Sequence, residues 1–267
     1  MAPNIAGFST LRARSYVFRL PIFTRLVIAL ILLFWVLTLQ SAWDVRQWGS
    51  LIPSTINFQT MYRTNTFPLI HLNLLHVLLN LIALTPLMDR FESENGTLVS
   101  LALFFGPLST IPALLYVGIE RLVLMRDTGV MGASLWVFLL MGVESIRTYR
   151  ANPYLMIASY RIPTWTMPLV MILIVAALIP NTSTLGHLCG LGVGYVFGLG
   201  YLKFLAPPEK ALRWVEGKLN LISRVPRYVS VDQKTYGRFG VLPSSNHSDR
   251  VTGTPMSLIE TTQRLGS

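Results

Sequence analysis

Gly186-His187-Leu188-Cys189-Gly190-Leu191-Gly192-Val193-Gly194-Tyr195-Val196-Phe197-Gly198 is the stretch that decides how this chain folds. It carries no charge, and glycine recurs at 186, 190, 194 and 198. Small residues at every fourth position let two helices meet backbone to backbone, which is how membrane helices pack. The ridge also brings His187 against a neighbouring helix, for which the stretch around Gly132 is the natural candidate. Five more charge-poor windows precede it, so helices are expected at about 24–43, 66–88, 97–118, 129–144, 162–180 and 185–206. The 267 residues are 52% hydrophobic and only 13% charged, the composition of a polytopic membrane protein.

The net charge of +10 does not point to nucleic acid, because the basic residues lie between apolar windows and in the tail. Arg12, Arg14, Arg19, Arg25, Arg90, Arg147, Arg150 and Arg161 fall on one side with Lys203, Lys210, Arg213, Lys218 and Arg224. Only Arg46, Arg63, Arg121 and Arg126 fall on the other. Basic residues concentrate on the cytosolic side, so both termini are expected there. The fold class is then an all-α membrane protein, a six-transmembrane-helix bundle. Residues 1–23 form a cytosolic N-terminal segment, 24–206 the six-span core and 207–267 a cytosolic tail.

Polar residues sit where hydrocarbon tolerates few, and such residues mark function. The second window reads His71-Leu-Asn73-Leu-Leu-His76-Val-Leu-Leu-Asn80. At about 100° per residue Asn73, His76 and Asn80 share a face and His71 does not. Such a stripe of donors suits a developing oxyanion, and it equally suits polar contacts between helices. The fourth window holds Gly132-Ala133-Ser134, with Phe138 one turn below the serine, where its ring could pack on an imidazole. A lone serine in a membrane helix is usually inert, because its hydroxyl bonds the carbonyl one turn back. The topology adds weight: spans two, four and six all enter from the non-cytosolic side. Ser134 and His187 then lie roughly 5–10 Å below that surface at 1.5 Å per residue. Serine with histidine in reach is a nucleophile with its base. No carboxylate falls at that depth, since Glu144 lies at the far end and Asp89, Glu92 and Glu94 belong to a cytosolic loop. A Ser–His dyad is expected. No metal or cofactor is called for, because the histidines do not share a face and no Cys or carboxylate completes a set.

These residues together resemble the rhomboid intramembrane serine proteases, over spans one to six. The family pattern is a His-x4-His-x3-Asn helix, a Gly-x-Ser helix and a His-x2-Gly-x3-Gly helix. His71, His76 and Asn80 match the first, Gly132 and Ser134 the second, and His187, Gly190 and Gly194 the third. The resemblance implies Ser134 as nucleophile and His187 as general base. It implies an oxyanion hole of His76, Asn80 and the Ser134 backbone N–H. Its partners would be transmembrane protein substrates in the bilayer, with unwinding residues near the lumenal boundary, because an intact helix hides its carbonyls. Two features depart from the pattern. Leu135 stands where many members have glycine, and Tyr62-Arg63 is the nearest thing to the Trp-Arg pair of the first loop. The six-span core with its long tail, and the segment Tyr236–Pro243, look most like fungal Golgi members, which implies the Golgi membrane (cis-Golgi). A catalytically silent relative that binds membrane clients is the competing reading. A proton-coupled transporter would need intramembrane carboxylates and internal repeats, and neither is visible.

Elsewhere the sequence says less. Trp43, Trp48 and Tyr62 bracket the first loop, which suits an interfacial segment. Pro163 and Pro168 are expected to bend span five. Cys189, the only cysteine, reads as a packed core thiol. Leu212, Val215, Leu219 and Ile222 repeat at helical spacing among Lys and Arg, fitting either an anionic leaflet or packing under the bundle. Disorder is expected from about 228, with room for a cytosolic partner of the tail. Asn95 and Asn246 lie in glycosylation patterns placed in the cytosol, and Asn181 in one close to the membrane.

Overall fold

Helices stand in all six windows of a computed structural model, which describes residues 16–234 apart from 158, 180 and 181. They are α1 (Ile22–Leu37), α2 (Leu74–Asn95), α3 (Thr97–Phe104) continued by α4 (Pro107–Gly118), α5 (Ser134–Ala151), α6 (Met167–Leu178) and α7 (Thr184–Leu199). A further helix, α8 (Glu209–Leu219), follows. Among the described residues two helical runs are long and apolar enough to cross a membrane, α2 and Thr97–Val123; α7 with Lys203–Leu219, bent by 93°, makes a third if the pair is one span. The described residues lie in one unit, Met1–Tyr236, while Tyr236–Pro243 and Asn246 fall outside them.

Several boundaries differ from the sequence reading, each for a local reason. Helix α2 starts at Leu74 because the Asn73 side chain caps it, accepting from the His76 N–H at 2.8 Å. His71 and Asn73 therefore precede the helix. Its other end runs to Asn95, so Asp89, Glu92 and Glu94 are helical rather than in a loop. The third window breaks at Gly106, and Pro107 opens the second half at the position where a missing N–H costs nothing. Helix α5 begins at Ser134, not about five residues earlier. It also continues past Glu144, whose charge is paired with Arg90 at 2.6 Å and Arg147 at 2.9 Å. Helix α7 stops at Gly200, which is left-handed at φ 99°. The all-α expectation is corrected at one place. Tyr154–Ile157 and Tyr160–Pro163 form a two-stranded antiparallel sheet, and Pro168 starts α6 instead of bending it.

The glycine ridge packs on α5. A Cβ on Gly190 would overlap the Leu135 carbonyl, one on Gly194 would lie 3.0 Å from Leu139 Cα, and one on Gly198 3.2 Å from Val143 Cα. Gly142 of α5 returns the approach, since a Cβ added there would lie 2.9 Å from the Leu191 carbonyl oxygen. Gly132 takes no part in this contact, contrary to expectation.

At the end of the bundle away from Ser134, the buried carboxylate of Glu92 joins three elements. It accepts from the Phe23 N–H at 2.9 Å, the Thr24 N–H at 2.7 Å, the Thr24 hydroxyl at 2.8 Å and the Thr97 hydroxyl at 2.7 Å. Two of these donors are orphan N–H groups of the first turn of α1, which has no side-chain cap of its own. Glu92→Gln keeps the shape but replaces one acceptor by an NH2 group facing donors. Thermal unfolding in detergent should show a loss of about 2 kcal/mol, and an unchanged midpoint would refute the cap.

The tail turns back beneath this end as far as residue 234, which corrects the expectation of disorder from about 228. Leu212 and Val231 join the hydrophobic core, and Tyr228 and Ser230 are buried. Glu216 accepts from the Tyr228 hydroxyl at 2.7 Å and the Val231 N–H at 3.0 Å. Burial and that carboxylate push the Tyr228 phenol above its ordinary range, so it stays a donor. The Thr97 N–H reaches the Val229 carbonyl at 2.9 Å, and the Ile22 N–H the Arg227 carbonyl at 3.2 Å. Of the two readings of the amphipathic helix, its Leu212 side belongs to packing under the bundle.

Candidate active site

Three helices start at one end of the bundle, and each start carries a polar residue named above. Ser134 is the first residue of α5, His76 the third of α2, and His187 the fourth of α7. Ser183 caps α7 by accepting from the Gly186 N–H at 3.1 Å, while its carbonyl accepts from the His187 N–H at 3.0 Å. This fixes the turn on which His187 sits. Across the glycine contact, His187 Nε2 lies 3.0 Å from Ser134 Oγ. The expected pair is therefore in hydrogen-bond contact.

The imidazole of His187 is buried, and the Phe138 ring packs on it with centroids 4.4 Å apart and 36° between planes. Phe138 lies one turn below Ser134 on the same face, so it bounds the side of the ring. His187 Nδ1 has no hydrogen-bond partner among the described residues. Nothing there takes the place of the carboxylate of a triad.

The chain ahead of Ser134 is held by its neighbours. Gly132 has φ 113°, open to glycine and strained for any other residue. A Cβ there would lie 2.6 Å from His76 Cε1 and 2.8 Å from His76 Nε2, so the ring lies directly against the backbone. The Gly132 N–H donates to the Phe67 carbonyl at 2.9 Å. The Ala133 N–H donates to His71 Nε2 at 3.2 Å, which leaves the His71 proton on Nδ1, 3.3 Å from the Leu69 carbonyl. Fully buried His71 is thus a support for the serine loop, and it stacks edge-on to His76 at 5.0 Å.

The first loop braces the same segment. Leu51 and Val130 exchange backbone hydrogen bonds of 3.0 and 2.9 Å, and the Ser54 N–H reaches the Asp127 carboxylate at 2.6 Å. Hydrogen bonding from Ser54, its side chain first and its N–H second, holds the Asp127 carboxyl below its usual range. From the other side, the Tyr116 hydroxyl donates to the Thr128 carbonyl at 2.7 Å. Trp48 stacks between Phe34 and Tyr62, with centroids 6.0 and 5.2 Å away, and meets Trp43 edge-on. The Arg63 guanidinium donates to the Ser50 carbonyl at 3.3 Å and the Thr55 hydroxyl at 3.1 Å. Tyr62-Arg63 therefore stiffens the loop that supports residues 127–132.

Not every expected residue converges. Asn73 is a helix cap and makes no stripe with His76 and Asn80. The Asn80 amide lies one turn below His76 on α2 and spends one N–H on the His76 carbonyl at 2.8 Å, leaving its second donor. Leu135 is buried with its carbonyl against Gly190, so a side chain fits after the serine because the glycine stands opposite. The supports Phe67, Leu51, Val130 and Tyr116 had no signal in the sequence beyond being apolar. His71 had one, in that it falls outside the face shared by its polar neighbours.

The family model for the Rhomboid domain matches residues 59–204. The chain is 58% identical over 266 residues to Rhomboid-type serine protease 2 of Gibberella zeae, covering 100% of both chains. It is 60% identical over 262 residues to the protein of that name from Neurospora crassa, covering 97% of this chain and 95% of the relative. Rhomboid-type serine protease B of Aspergillus fumigatus is 55% identical over 262 residues, with 97% and 96% covered.

Proposed function

We propose, because this chain belongs to the rhomboid family and is a membrane serine endopeptidase, that Ser134 is its nucleophile and His187 its general base. The observation that carries this is the 3.0 Å contact between Ser134 Oγ and His187 Nε2. In the first step Oγ attacks a peptide carbonyl carbon while its proton passes to Nε2. Negative charge collects on the carbonyl oxygen. The free N–H groups at the start of α5 supply donors there, and the dipole of that helix favours the charge. We assign His76 and the second N–H of Asn80 as the remaining donors of the hole, each on the face of α2 that meets Gly132. Collapse breaks the C–N bond, and Nε2 returns its proton to the leaving amine. Water then attacks the acyl-serine, giving its proton to His187 Nε2, and collapse breaks the C–Oγ bond as Nε2 returns that proton to Ser134 Oγ, releasing the acid and restoring the pair.

The buried Phe138 ring confines the imidazole so that Nε2 stays aimed at the serine without a carboxylate behind it. We read the chain as six spans with both termini cytosolic, so that this site opens toward the lumen, as the Lys and Arg distribution supports. The substrates are then single-span membrane proteins cut near their lumenal boundary, and the Golgi membrane is the compartment we assign. Co-expression with a panel of single-span reporters tests the assignment. Wild type should release a lumenal fragment whose new terminus maps close to the membrane boundary, and Ser134→Ala should release none. Intact reporters throughout, under conditions where an active relative cuts them, would overturn it.

A further inference from the structure

The segment between α5 and α6 carries an unused surface. In the hairpin Tyr154 stands opposite Pro163, Leu155 opposite Ile162, Met156 opposite Arg161 and Ile157 opposite Tyr160. Opposed residues share a face and successive residues alternate. Leu155, Ile157, Tyr160 and Ile162 thus make one uncharged, apolar face, while Arg161 stands on the other. The first strand is exposed throughout, Ile157 being 50% accessible, and Tyr160 at the start of the second is 76% accessible. A two-stranded hairpin is marginal in water by itself, and an uncovered apolar face marks a contact surface.

Position and charge say what covers it. The hairpin leaves the C-terminal end of α5, whose first residue is Ser134 and whose 18 residues rise about 27 Å, close to the thickness of a hydrocarbon layer. It therefore sits at the membrane boundary opposite the serine. Between residues 145 and 166 there are Arg147, Arg150 and Arg161 and no Asp or Glu. Arg147 pairs with Glu94 and Glu144, whereas Arg150 and Arg161 are exposed. Basic residues at such a boundary attract anionic headgroups, and tyrosines belong in the headgroup layer.

We propose that the paired strands Tyr154–Ile157 and Tyr160–Pro163 are a lipid-surface anchor. Their Leu155–Ile157–Tyr160–Ile162 face dips between headgroups and acyl chains of the leaflet opposite Ser134, and Arg161 meets an anionic headgroup. The anchor rests on the reading of α5 as a membrane span. It sets the depth of α6, because the Thr164 N–H and hydroxyl hold the hairpin base, donating to Pro153 and Asn152 carbonyls at 2.9 Å each. Helix α6 itself buries only Pro168 and Ile172, and the Tyr195 hydroxyl adds one bond, to the Trp165 carbonyl just ahead of it at 2.6 Å.

Single added cysteines at Ile157, Met156 and Leu173 in the full-length protein test this, with the buried Cys189 of wild type as the labelling blank. Each carries an environment-sensitive fluorophore in nanodiscs of phosphatidylcholine and phosphatidylserine. The probe at 157 should shift to the blue and lose fluorescence to a lipid nitroxide near the glycerol. The probe at 156, on the other face, should lose less and remain open to iodide. Leu173, exposed on α6, reports the bilayer independently. Quenching at 173 with iodide-accessible 157 overturns the anchor and leaves the span; no lipid quenching at either position overturns both. Arg161→Gln should move the 157 probe outward only where phosphatidylserine is present, and the same shift in pure phosphatidylcholine would refute the contact with a net anionic headgroup.

Discussion

Ser134→Ala and His187→Ala should each abolish labelling by a serine-directed fluorophosphonate and lower peptide-bond cleavage by on the order of 10⁴-fold. The effects should be nearly equal and not additive in the double variant, because the two side chains act as one unit across a 3.0 Å contact. Ser134→Ala removes the attacking atom. His187→Ala leaves the hydroxyl with nothing to take its proton at neutral pH, since among the described residues no other base bonds to it. Single-turnover cleavage of a reporter in nanodiscs gives the rate, and the thermal midpoint of each variant shows that the bundle still folds. A His187→Ala enzyme that keeps a tenth of its rate would end the case for this base. Ser134→Ala should leave the midpoint near that of wild type, whereas His187→Ala removes a buried ring packed on Phe138 and should lower it, costing about 1 kcal/mol or more, without unfolding the bundle.

The second large effect belongs to packing. Gly194→Ala should cost about 3 kcal/mol or more and remove labelling as well. Its Cβ would lie 2.8 Å from the Leu139 carbonyl carbon and 3.0 Å from Leu139 Cα, which are backbone atoms and cannot rotate away. The helices must separate, and His187 is carried on the same contact seven residues nearer the site. Gly192, two residues away on the same helix, has nothing within 4 Å of an added Cβ. Gly192→Ala should therefore be neutral or gain up to about 1 kcal/mol from helix propensity. Paired unfolding curves in detergent check both. Equal midpoints for the two variants would show that the ridge does not set the distance between α5 and α7.

A rise in labelling for either glycine variant would argue that the close approach restrains the enzyme. The geometry predicts the reverse, because Gly190 touches the carbonyl of Leu135, the residue that follows the nucleophile. Pushing that carbonyl away tilts the first turn of α5, and with it the N–H groups proposed to face the oxyanion. Packing and chemistry share one surface here.

What the sequence determined by itself was whatever lies on one helix or repeats along it. Charge-poor windows placed six helices, glycine at every fourth position announced a backbone contact, and Phe138 followed from one helical turn below Ser134. The order of the three polar motifs named the family before any distance was known. Periodicity misled where a helix had not yet begun: Asn73 matched the stripe of His76 and Asn80 in register but stands before the helix as its cap. Only tertiary structure decided which partners met across long separations. His71 finds the Ala133 N–H 62 residues on, and Thr97 finds Val229 132 residues on. The hairpin after α5 and the return of the tail to residue 234 also belong there. The physical reason is that a hydrogen bond or a buried face is satisfied by whatever the fold brings near, and a linear pattern records the need of a group without recording which distant group will meet it.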